Sequence, residues 1–321
     1  MVVKQKILYR LSTSMYFSIG SKMKNVFCQF IKVFFLLPVL LTTSYGQTVM
    51  ATQEKSVSPL LIQPSMNVFR RFEAEPEAMY NFYGKALAFK QLTTFNVGAK
   101  TDVARFQVGD SQLKLSGIVS NRTYQRGEIK GATGVRLLTF FFTDKHALEE
   151  RFRSQGLAVP VFNPVKDTAR SHALLKDPDG QWVELVIVPD SEKAACMGIE
   201  VGLSVSDLEK SRAFYREFVG LEELPPEEDA IFQGKKYPFR HGSTVISLRC
   251  FGSGLPADTG SGGIQYVVSN AEAVQNLAKE RSITIDQPLS TLPGFSLLTV
   301  WIDDPDGITN YFAQVGAMEK K

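Results

Sequence analysis

The chain writes one turn twice. Asp-Pro-Asp-Gly stands at residues 177–180 and again at 304–307, each copy just ahead of a β-prone run, WVEL in the first and ITNYF in the second. Two other stretches repeat in the same order. NFYGKALAF (81–89) matches AFYREFVGL (213–221) at an offset of 132, and FQVGDSQLKLS (106–116) matches FRHGSTVISLR (239–249) at 133. With the turns at an offset of 127, these matches define a duplicated unit of about 120 residues. Duplication constrains the fold more than composition does, because whatever one copy forms the other must form as well.

Within a copy the hydrophobic period switches between strand and helix. IEVGLSVSD (199–207) alternates and reads as a strand ending at a polar turn. LEKSRAFYREFVGL (208–221) places Leu208, Phe214, Tyr215 and Phe218 at near-helical spacing, and Gly220 suits the helix end. Strands are expected over 236–240 and 244–249 across the tight turn HGS, then over GGIQYVVSN (262–270). The helix AEAVQNLAKERS (271–282) follows, with strands on both sides of the second Asp-Pro-Asp-Gly. The first copy repeats the plan: a strand near 68–72, a helix over 77–87, strands to Ser116, VRLLTFFF (135–142), the helix KHALEERFRSQG (145–156), and strands around the first turn. Pro presets φ in those turns and Gly supplies a positive one. The expected class is α+β, with four strand-helix-strands modules. GSGLPADTGSGG (252–263) reads as a flexible connector between modules.

The first fifty residues are of another kind. Lys4, Lys6, Arg10, Lys22, Lys24 and Lys32 precede the apolar run VFFLLPVLL (33–41), and small residues follow. This pattern fits a secretory signal over residues 1–46, with Met23 an alternative start. A run of nine apolar residues falls short of the ~20 that span a bilayer, so no stable membrane anchor is expected after cleavage. Residues 47–64 read as a polar linker. The expected location is exported, periplasmic or secreted.

With 36 basic and 33 acidic residues interspersed and no basic-aromatic patch, nucleic acid is not an expected partner. Monomer and homodimer stay open. Two cysteines remain after cleavage, Cys196 and Cys250, and a disulfide between them is not expected. A right-handed crossover makes the first and last strands of a module parallel, which places the two thiols at opposite ends of the sheet.

VGLSVSDLEKSRAFYREFVGL (201–221) followed by a later DPDG resembles the vicinal oxygen chelate superfamily, which holds glyoxalase I, bleomycin-resistance proteins, methylmalonyl-CoA epimerase and extradiol dioxygenases. The likeness extends from Asn67 to Gln314. It implies two glyoxalase-like domains, 65–190 and 196–316, each a cup of two βαβββ modules. It also implies a divalent metal held by residues on the first, fifth and last strands of a cup. In this chain those positions fall near Val68 and Leu137 with Glu184, and on Glu200, Gly263 and Tyr311. Only Glu184 and Glu200 are of ligand type, so no complete metal set is expected, although a divalent metal stays possible.

Only three histidines exist. His146 reads as an exposed helix-start residue and His241 as a hairpin-turn residue. His172 lies on the strand before the first turn, where it could share a pocket with Glu184. If the third module pairs with the second, Glu200 and Glu184 come towards one cavity, where two carboxylates could hold a cation or act as an acid-base pair. The candidate ligand-binding residues are thus Glu184, Trp182, His172, Glu200, Ser204, Thr299, Trp301 and Tyr311, with Glu184, Glu200 and His172 the candidate catalytic ones. Two functions follow from the resemblance. One is a protein that binds a small apolar or aromatic molecule in its cups without the usual metal. The other is a metal-dependent lyase, isomerase or dioxygenase with a carboxylate-based site.

Overall fold

The computed structural model describes residues 56–97, 102–117, 121–192, 198–292 and 294–316. Four modules follow one another. The first holds β1 (Asn67–Arg71), α1 (Pro76–Tyr80), β2 (Lys90–Asn96), β3 (Asp102–Val108) and β4 (Ser111–Ser116). The second holds β5 (Gly134–Phe142), α2 (Lys145–Ser154), β6 (Asn163–Pro164), β7 (Ser171–Lys176) and β8 (Trp182–Ile187). The third holds β9 (Ile199–Ser204), α3 (Leu208–Ala213), β10 (Glu222–Glu223), β11 (Glu227–Glu228), β12 (Lys235–His241) and β13 (Thr244–Arg249). The fourth holds β14 (Gly262–Val267), α4 (Ala271–Glu280), β15 (Ile285–Thr291), β16 (Leu297–Asp303) and β17 (Thr309–Val315). The expected helices over 77–87 and 208–221 each open with α-helical turns and widen into a π-turn, at Asn81–Ala86 and Phe214–Val219. Gly220 then takes a φ of 82° and ends the second of them.

The sheets cross the sequence repeat. One has the order β15-β16-β17-β14-β1-β4-β3-β2 and joins the fourth module to the first. The other runs β10-β12-β13-β9-β5-β8-β7-β6 and joins the third to the second. First and last strands of every module are parallel, as in β9 with β13. Cys250 is exposed and free, while Cys196 and the signal segment lie outside the described residues.

The backs of the modules pair differently from the sheets. Phe82 meets Phe152, joining the helical segments of modules one and two, with ring centroids 6.0 Å apart. Phe218 meets Phe312 between modules three and four at 6.1 Å. The Asp-Pro-Asp-Gly turns fasten the same pairs: Asp177 accepts from Arg70 and Tyr83, and Asp304 from Tyr215. Alternate residues of the sheets, among them Val68, Leu113, Leu203, Ile264 and Phe312, are fully buried beneath these helices.

Two segments are more ordered than the sequence implies. From Ser56 onward the expected linker is docked: Val57 is fully buried and donates to Phe218 O, while Ile62 donates to Val267 O. Its apolar residues bind it to the modules it was expected to precede. The expected flexible connector carries Asp258, which is buried and ion-paired with Arg136 at 2.7 Å. A buried charge needs such a partner, and that pairing fixes the loop.

Candidate functional site

Each sheet curves into a cup whose inner face is lined by alternate strand residues. In the cup of modules two and three, Thr139 on β5 stands opposite Glu200 on β9 and opposite Glu184 on β8. The pairing of the third module with the second thus brings both carboxylates to one face. The facing residue on β5 is Thr139, two places beyond the expected Leu137, and a register shift between Val135 and Leu137 accompanies the difference.

Three acid-base pairs fill this cup. Lys236 Nζ donates to both oxygens of Glu200, at 2.8 and 3.0 Å, and Arg249 Nη2 lies 3.7 Å from one of them. Arg249 Nε donates to Asp229 Oδ2 at 2.6 Å. His172 Nδ1 lies 3.0 Å from Glu184 Oε1, and Thr139 Oγ1 donates to Glu184 Oε2 at 2.9 Å. Burial alone would raise the Glu200 carboxyl, but Lys236 and then Arg249 hold it below its ordinary value. The Glu184 hydrogen bond raises the His172 pKa against burial, helped by the charges of Glu184 and Asp229. Gly202 makes room for this network, since a Cβ there would sit 2.8 Å from Arg249 Nη1. Glu184, Glu200, Ser204 and Ser247 are all buried beneath the partly exposed His172, Trp182 and Lys236, so the centre of this cup is closed by its own side chains. Trp182 lies on the same strand face as Glu184, with Lys176 Nζ 4.6 Å from its ring centroid.

The cup of modules one and four has other contents. The residues facing one another across β1, β14 and β17 are Asn67, Gln265 and Tyr311. The expected positions Val68 and Gly263 do not supply this face: Val68 is fully buried under the helices, and Gly263 has no side chain. The missing side chain admits Tyr311, as a Cβ there would lie 3.0 Å from the Tyr311 ring. Where Gly202 lies beside Ser247, Phe69 lies beside Lys114. Lys114 Nζ donates to Gln265 Oε1, which also accepts from Asn67 Nδ2 at 3.3 Å. Burial, then the neighbouring Arg105 charge, lowers the Lys114 pKa to about 8. Trp301 packs against Tyr311 with centroids 4.7 Å apart, and Phe69 against Tyr311 at 5.8 Å. Phe69, Arg71, Lys114, Trp301 and Tyr311 are all partly exposed, so this cup opens to solvent. Thr299 lies on the Trp301 face of β16, one alternation away.

The candidate residues therefore divide. Glu184, Trp182, His172, Glu200 and Ser204 belong to the closed cup, and Thr299, Trp301 and Tyr311 to the open one. His146 is exposed, and His241 Nε2 lies 2.8 Å from Gln63 O in its hairpin. Sequence reasoning missed Lys236, Arg249 and Asp229, which reach the closed cup from strands and a loop distant in sequence. It also missed Lys114, although a signal was present: LKLS in the first copy aligns with ISLR in the second, setting a lysine where the other has Ser247.

The donors at Glu200 and in the open cup do not suit a divalent metal. Glu200 is already spanned by one ammonium and approached by a guanidinium, so a metal there would face two fixed positive charges. The open cup offers two amides, a phenol and an ammonium. Among the described residues no three His, Cys, Asp or Glu side chains converge.

Two cupped mixed sheets, each made from a pair of βαβββ modules with polar residues at the centre of the inner face, define a tandem cupped-sheet protein. The chain belongs to the Glyoxalase/Bleomycin resistance protein/Dioxygenase superfamily, whose family model matches residues 65–185 and 199–312. It is similar to a lactoylglutathione lyase of Oryza sativa subsp. japonica, 29% identical over 155 residues, which are 45% of this chain and 52% of that protein. The chain thus spans about half the length of that curated relative. The crystal structure of glyoxalase I from Zea mays is similar in fold, with a TM-score of 0.60 and 21% identity over 78% of this chain and 92% of that one.

Proposed function

We propose that this superfamily member binds a small aromatic molecule in the open cup of modules one and four, without the divalent metal its family implies. The observation that carries this reading is the aromatic wall of Phe69, Trp301 and Tyr311, partly exposed around a centre that offers no set of metal donors. Concave sites lined by aromatic groups with a few placed polar ones are the usual form of small-molecule pockets. In the closed cup, the carboxylates at the sheet centre are neutralised by side chains of the protein itself. The basic and apolar leader supports export, which N-terminal sequencing of the mature protein tests.

The test is metal analysis of the purified full chain, paired with a thermal-shift screen of small aromatic compounds. Well under one equivalent of divalent metal is expected, together with a stabilising ligand whose effect is lost in Trp301→Ala. Stoichiometric metal that disappears in Glu184→Ala or Glu200→Ala would overturn the proposal. It would favour a second reading, a carboxylate-based lyase or isomerase, which the His172–Glu184 pair supports. Lactoylglutathione formation with and without added divalent metal measures that activity directly.

A further inference from the structure

We infer that the open cup is a site for a small aromatic carboxylate, with the carboxylate held by Lys114 and Arg71 and the ring by Phe69, Trp301 and Tyr311. The inference rests on the metal-free binding proposed above and adds the charge of the ligand.

Phe69 is the register partner of Lys114 across parallel β1 and β4, and Arg71 follows Phe69 by one alternation on the same face. The two cations are therefore diagonal neighbours on the inner wall, roughly 8 Å apart at the backbone from the strand spacing and a two-residue rise. Neither forms an ion pair among the described residues: Lys114 donates to the neutral Gln265 amide and stands beside another cation, Arg105, its register partner on β3. Nε and Nη1 of Arg71 are buried with no hydrogen-bond partner, while the guanidinium lies 5.4 Å from the Phe69 ring centroid and hydrogen-bonds the Tyr311 side chain. The acids on this side are already used: Asp286 and Asp303 pair with Arg122 at 2.6 and 2.9 Å.

The closed cup makes the contrast. There each inward acid meets a base from its own chain, and Arg249 and Lys236 are neutralised by Asp229 and Glu200. Among the described residues, the cations of the open cup have no such counterpart. Desolvated donors of this kind call for an acceptor, and a carboxylate answers an unpartnered guanidinium nitrogen and an ammonium together. The adjoining ring faces select a flat apolar body, which inorganic anions lack.

The test is calorimetric titration of the full chain at low ionic strength with benzoate, with its neutral isostere benzamide and with inorganic phosphate. Benzoate is expected to bind at one site per chain and at least tenfold more tightly than the other two. Lys114→Met should weaken it at least tenfold, whereas Lys166→Met, which removes an exposed charge, should not. Arg71→Gln provides a second variant should Lys114→Met fail to fold, and thermal melts verify both. Equal binding of benzoate and benzamide, or of benzoate to wild type and Lys114→Met, would overturn the carboxylate inference and leave aromatic binding standing. Phosphate binding as tight as benzoate would overturn the role of the rings. No binding of either aromatic compound would overturn both this inference and the reading beneath it.

Discussion

Asp177 and Asp304 hold the same place in the two repeated turns but differ in their charged neighbours. Asp177 accepts from Arg70 Nη2 at 3.0 Å and Tyr83 Oη at 2.9 Å. Asp304 accepts from Tyr215 Oη and from the amides of Asp306 and Ile308, yet Leu203 occupies the place that Arg70 fills in the first copy. Burial without a cation pushes the Asp304 pKa up to about 7. The folded state therefore keeps a proton that the unfolded chain releases near pH 4. The resulting stability is fully present below that point and is lost as pH rises through about 7. Between pH 5 and pH 8 wild type should lose on the order of 2–3 kcal/mol through this group. Asp304→Asn should flatten that dependence, as read from urea unfolding at both pH values. An identical pH slope in the variant would show that Asp304 is ionised throughout. The turn motif is plain in the sequence, but its electrostatics are not, because the deciding residue lies about a hundred positions away.

At the scale of the element, β12 carries Lys236 into the closed cup on its inward face, where it meets a Glu200 set there by β9. Neither strand records the other in its sequence. Removing the ammonium with Lys236→Met leaves Glu200 buried with only Arg249 3.7 Å away. Breaking a buried pair by removing one partner costs about 3–5 kcal/mol, and the nearby guanidinium places this case at the lower end. Lys236→Met with Glu200→Gln should recover most of the loss, since no uncompensated charge remains. A double-mutant cycle by urea denaturation measures it, and additive losses would show that the pair is not coupled. The strands and helices themselves were legible from their hydrophobic periods, including the shared hairpin and the repeated helix end. Lys114 was legible only as an oddity within an apolar strand. That it lacks a counterion required its neighbours from β1 and β14.

At the scale of the molecule, each half of the sequence packs within itself through its helical backs, while the sheets are shared between halves. The first half alone would present β1 without β14 and β5 without β9, two long unpaired edges flanked by apolar faces. Such edges pair with whatever strand is offered. A fragment of residues 56–192 should therefore associate or aggregate, while the full chain remains at one size in the same buffer. Size-exclusion chromatography with light scattering decides this; a stable monomeric fragment would show that the cross-repeat sheets are dispensable.

The sequence by itself determined the duplicated unit, its four modules and its superfamily, because periodicity and turn chemistry are local and the repeat writes each of them twice. It also set the expectation of an incomplete metal set, since that depends on residue type at a few positions. The tertiary structure alone decided which modules share a sheet, and with it which side chains meet. Pairing the second module with the third fills one cup with three acid-base pairs. Pairing the first with the fourth leaves Lys114 and Arg71 beside an aromatic wall with no ion-pair partner among the described residues. Charge balance within a cup is a property of contacts between distant strands, and no local pattern encodes it.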